Sequence, residues 1–114
     1  MSRLGSDADV LFDPVVVEYF ALAAQEGHDE TGLRGKVEND GNGDYYRIKG
    51  IGDSEIGMLF VSEEGSELTD PMIERFRSNM QKGIIVVVDR YEQSFAFYRM
   101  DGDRCRTAKA LLSE

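Results

Sequence analysis

The apolar pattern of the chain centres on Gly83-Ile84-Ile85-Val86-Val87-Val88-Asp89. Five consecutive β-branched residues are too few for a helix, where β-branching also restricts χ1. They predict a strand covered on both faces, with neighbours in its sheet and a layer above and below.

The flanking pattern supplies those neighbours. Asp13-Pro14 opens a helix over 14–26, with Val15, Val16, Tyr19, Phe20 and Ala23 as its buried face and Gly27 as its stop. Phe12 and Val17 stand at the positions of a hydrophobic staple. Two loosely alternating runs, 33–39 and 44–51, flank Asp40-Gly41-Asn42-Gly43 and read as a hairpin. Tyr46 and Ile48 point one way, Tyr45, Arg47 and Lys49 the other. A third strand spans 56–62, with Ile56, Met58 and Phe60 on one face and Leu59 and Val61 on the other. Asp70-Pro71 repeats the helix-opening device, and Ile73, Phe76 and Met80 stripe a helix over 71–82. Strand, helix and the 84–88 strand form a β-α-β unit with parallel strands and a right-handed crossover. Phe95 and Phe97 alternate with Ala96 and Tyr98 in a fifth strand, and 104–112 reads as a short last helix. The expected fold is α+β, a mixed five-stranded sheet in the order α-β-β-β-α-β-β-α. It forms one domain, 13–114, behind a flexible start over 1–12.

Charge changes the picture more than size does. The 114 residues carry 22 acids against 13 Lys and Arg, a net charge of −9. That argues against generic binding to nucleic-acid backbones. Residues 1–70 hold sixteen acids and five bases, whereas 71–114 hold six acids and eight bases. An acidic surface of this kind fits a basic protein partner or a mimic of nucleic acid, besides simple solubility. The exposed acids expected to meet a partner are Glu63, Glu64, Glu67 and Asp70. The basic counterpart is Arg99, Arg104 and Arg106, with Lys109 beside them, which a second copy of the chain could engage. Cys105 is the single cysteine, so an internal disulfide and a Cys-based zinc site are excluded. Arg106 beside it could acidify the thiol, but no base lies near in sequence. No apolar run is long enough to span a bilayer, and the acidic N-terminus is unlike a secretory signal. A cytoplasmic location is expected, with no membrane partner.

In element order, residues 14–88 resemble the core of the restriction-endonuclease-like superfamily, which includes Holliday-junction resolvases and Mrr-type enzymes. That resemblance implies a divalent cation, Mg2+ or Mn2+, held by carboxylates that activate water. Asp44 matches the acid opening the second strand, and Glu55 stands for the second acid. The family's Lys two residues after it is Gly57 here. Lys49 is then the substitute, and Glu18 or Glu26 a helix carboxylate. The full order, including a final hairpin and helix, also resembles the small acidic chaperones of type III secretion. Those are dimers that bind an effector segment, which implies a self-associating, non-enzymatic interaction module. The module is the preferred expectation; the nuclease, active or inactive, and the nucleic-acid mimic are alternatives.

Other motifs carry less. Asp40-Asn42-Asp44 alternates oxygen ligands as a calcium loop does, but Tyr45 and Ile51 stand where Gly and Glu are required. His28 is the single histidine, placed just past a helix end, where a cation suits the helix dipole. Gly50, Gly52 and Gly57 precede no Gly-Lys-Ser or Gly-Lys-Thr. Tyr45, Tyr91 and Tyr98 could stack on bases, in no recognisable arrangement.

Overall fold

A computed structural model describes residues 8–26, 29–39, 41, 43–92 and 94–112. Its elements in chain order are β1 (Val10–Phe12), α1 (Pro14–Gln25), β2 (Glu30–Asn39), β3 (Asp44–Gly52), β4 (Gly57–Ser62), α2 (Asp70–Arg77), β5 (Lys82–Asp89), β6 (Phe95–Asp101), β7 (Arg104–Thr107) and β8 (Ala110–Leu112). The strands form one mixed, curled sheet in the order β7-β6-β5-β4-β2-β3-β1-β8. This corrects the five-stranded, three-helix layout: the described residues hold eight strands and two helices.

β5 lies inside the sheet, parallel to β4 and antiparallel to β6. Its alternate side chains serve two layers. Ile84, Val86 and Val88 join the cluster under α1, and Ile85 and Val87 join the cluster under α2. The crossover from β4 through α2 to β5 therefore stands within the larger sheet. Gly57 makes the β4–β5 approach possible, because a Cβ there would lie 1.9 Å from the Ile84 carbonyl oxygen. The cluster under α1 is rich in rings: Phe12 stacks on Phe97 at 5.2 Å, and Phe20 meets Phe95 edge-on at 5.4 Å.

Three further expectations are corrected. The first concerns α1, which buries Val16, Phe20, Ala23 and Ala24 rather than Val15 and Tyr19. The helix is apolar nearly all round, so periodicity does not select its buried side. Asp13 holds the N-cap conformation but makes no side-chain capping bond. The second concerns α2, which ends at Arg77 instead of residue 82. Ser78 Oγ and Asn79 Nδ2 both donate to the Arg75 carbonyl, at 2.7 and 2.9 Å, and such local bonds compete with helix continuation. Lys82 opens β5 instead.

The third concerns residues 104–112, which form β7 and β8 and no helix. Their Ala, Leu, Lys and Arg favour helix weakly, and strand pairing outweighs that propensity. Arg104–Thr107 pairs antiparallel with 98–101, and Ala110–Leu112 pairs parallel with 10–12. The two outer strands of the sheet are thus joined by Ala108 and Lys109 alone. The Ala108 amide donates to the Phe97 carbonyl, and the Lys109 carbonyl accepts from the Asp9 and Val10 amides. Residues 8–12 are accordingly buried. Residues 1–7, Gly27, His28, Asp40 and Asn42 lie outside the described residues, with the expectations placed on them.

Candidate functional site

The residues matched to a nuclease do not converge. Asp44 closes the hairpin, accepting from Asn39 Nδ2 at 2.9 Å. Glu55 Oε1 accepts from the Gly35 amide at 3.0 Å. Gly35 and Asn39 are separated along β2 by about 13 Å of strand. Lys49 and Glu55 both line a shallow depression of about 200 Å³, together with Arg34, Gly35 and Lys36. Glu18 and Glu26 are exposed at α1. Among the described residues no three His, Cys, Asp or Glu side chains are grouped to hold a metal ion. Among the described residues the arrangement that would bind Mg2+ or Mn2+ is therefore not assembled, and the calcium-loop expectation rests on Asp40 and Asn42, outside the described residues.

Of the bases expected to face a partner, Arg99 is turned inward, and Arg106, although more than half exposed, is engaged within the molecule. Asp9, buried just before β1, receives Arg106 through two bonds, Nη2 to Oδ1 at 2.6 Å and Nη1 to Oδ2 at 2.8 Å. Arg99 Nη1 donates to Asp9 Oδ1 at 3.0 Å and to the Asp44 carbonyl at 2.9 Å. Its Nε donates to Asp101 at 3.1 Å, and its guanidinium lies over the Tyr46 ring at 5.4 Å. The Lys109 amide adds a bond to Asp9 Oδ2. One carboxylate thus ties β6, β7 and the β7–β8 link to β1. Burial pushes its pKa up, but the bonds from Arg106, the Lys109 amide and Arg99 outweigh this and hold it below the usual value. Arg104 is exposed on β7. Partial burial pushes the Cys105 thiol up, against Arg77, so it is not an activated nucleophile.

The acidic loop is likewise partly self-contained. Asp89, buried at the end of β5, accepts from the Glu92, Gly65 and Tyr91 amides, which together lower its pKa. Glu63 pairs with Arg90 at 2.5 Å. Glu64, Glu67 and Asp70 remain exposed. The tyrosines offer little stacking surface. Tyr45 is buried and donates to Glu38, which also pairs with Arg47 at 2.6 Å. Tyr98 is half-buried, its hydroxyl donating to the Ser66 carbonyl. Tyr91 alone of the three is exposed.

What pattern reading missed is the outer side of α1. Val15, Tyr19 and Leu22 are 44%, 37% and 46% exposed, and their spacing of four and three puts them on one stripe. Glu18 and Glu26 are exposed on the same helix and its cap. From residue 4 to residue 33 the chain contains no Lys or Arg. The available signal was the excess of apolar residues in α1 over what one buried face requires.

No protein-family model matches the chain, and no curated protein matches it. No helix among the described residues is long and apolar enough to cross a membrane.

Proposed function

We propose that this is a non-enzymatic protein-interaction module that docks a basic, apolar-centred segment of another protein on the outer side of α1. The observation that carries the reading is the exposed Val15-Tyr19-Leu22 stripe in a stretch whose charges are all acidic. An apolar stripe flanked by acids complements an amphipathic helix flanked by Lys or Arg. Two copies meeting through this stripe would oppose Glu18 and Glu26 to their own kind, which disfavours self-association there. A free, exposed Cys105 suits the reducing cytoplasm, where we place the protein.

The test uses two synthetic helical peptides, one with leucines along one side and lysines flanking them, the other with glutamates for the lysines. Fluorescence anisotropy is expected to show binding of the basic peptide alone, weakening as salt rises. Leu22→Glu should weaken it by roughly tenfold or more, the equivalent of losing one buried leucine contact. Equal binding of both peptides, or unchanged binding by Leu22→Glu, would overturn the reading.

A further inference from the structure

Between Arg3 and Arg75 the chain has four bases: Arg34, Lys36, Arg47 and Lys49. The structure sets all four on the β2–β3 hairpin, on the side away from α1, since Leu33, Tyr46 and Ile48 fill the α1 cluster. Lys36 lies directly across from Arg47, a like-charge pairing that costs stability. Glu38 neutralises Arg47. Arg34, Lys36 and Lys49 form no ion pair among the described residues, although the chain has nine more acids than bases.

The backbone is also adapted here. Arg34 pairs with Gly50 and Gly35 with Ile48, so Lys49 is the extra residue of a β-bulge. Bulges re-aim side chains, and this one adds Lys49 to the rim that Arg34 and Lys36 provide. Gly35 forms the floor, where a Cβ would meet the Arg47 carbonyl oxygen at 2.0 Å. Glu55 is the one acid on the rim, and its Oε1 is taken by the Gly35 amide. Three cations and one carboxylate leave a local charge of +2.

We propose that this depression binds the phosphate group of a small phosphate monoester, with Arg34, Lys36 and Lys49 as its ligands. The charge matches that of a monoester near neutral pH. The volume of about 200 Å³ is below that of ordinary drug-sized pockets but suits a phosphate with a small substituent. Screening within about 8 Å at physiological salt keeps the distant acids from opposing entry. The site lies on the opposite side of the sheet from the α1 stripe, so its test is independent of the interaction reading.

The experiment titrates the intact protein with inorganic phosphate, a sugar phosphate and acetate at constant ionic strength, following backbone amide shifts by NMR. Both phosphates are expected to shift the amides of residues 34–36, 49 and 55, and the tighter of the two tells whether the substituent is read. Lys49→Ala and Arg34→Ala should each weaken binding roughly tenfold, as expected for a charge-assisted hydrogen bond. Glu55→Gln keeps the acceptor for Gly35 while removing the charge, and should tighten binding roughly threefold. Arg104→Ala, on an outer strand, should change it by less than about twofold. Shifts scattered over the surface, equal affinity for acetate, or an equal loss in Arg104→Ala would overturn the proposal.

Discussion

Asp9 shows how much one buried carboxylate can organise. It is held by two guanidiniums and a backbone amide, and its own backbone groups bond to Lys109 and Tyr46. Removing the charge leaves Arg99, itself largely buried, without its ionic partner there. Asp9→Asn is therefore expected to lower unfolding free energy by about 3 kcal/mol in urea titration. Arg106 is more than half exposed, but its two bonds hold a carboxylate that is itself buried, so Arg106→Ala should cost about 2 kcal/mol, less than Asp9→Asn because Arg99 and the Lys109 amide remain. The pH dependence follows the same residue. A carboxylate whose folded pKa lies below its unfolded value stabilises the fold above the unfolded value. That stability is lost as pH falls through the folded one. Asp9, Glu38 and Asp89 are all shifted downward, so stability should decline as pH falls below about 4. Asp9→Asn should show a shallower decline, measured as the urea midpoint against pH; an unchanged slope would contradict the role given to Asp9.

At the scale of elements, legibility tracked how local each cause was. β5 was readable because five β-branched residues have few alternatives, and the hairpin because Gly and Asn mark its tip. The buried side of α1 was not readable, since Val15, Val16, Tyr19, Phe20 and Leu22 offer several apolar faces and the choice belongs to the sheet. β1 is three residues long and leaves almost no period to detect. β7 and β8 owe their form to partners elsewhere in the chain, against their own mild helix preference. Of the residues matched to a nuclease, Lys49 and Glu55 line one depression through the fold of the β2–β3 hairpin, which no local pattern encodes, and Asp44 is held apart at the hairpin tip. The link from Asp9 to Arg99 spans 90 residues and has no sequence signature. The β4–β5 contact offers a direct test of element packing. Gly57→Ala would force a methyl into the Ile84 backbone, so a loss of several kcal/mol, of the size seen for severe overpacking, is expected by thermal or urea unfolding. Leu22→Ala on the exposed side of α1 should change stability by no more than about 0.5 kcal/mol.

For the whole molecule, the curl and the charge distribution belong together. One side carries an apolar stripe among acids, and the other carries Arg34, Lys36, Arg47 and Lys49 around a bulge. The sheet between them is complete only when β8 covers the outer edge of β1. Ending the chain after Thr107 removes β8 and the Lys109 groups that hold Asp9, leaving β1 with one neighbour. Such a variant is expected to lose amide-exchange protection at 10–12 and to aggregate through the freed edge. The placement of β1 also has a consequence for synthesis. Val10 meets Tyr46 on one side and Ala110 on the other, closing 36 and 100 residues of chain. The longer closure costs only about 1 kcal/mol more in entropy. The constraint is one of timing: on the ribosome, β1 can find β3 early, yet it stays half-paired until residue 112 has emerged. A nascent chain would carry that open ribbon from the emergence of β3 to that of β8, which makes this interval the period when a chaperone has most to protect.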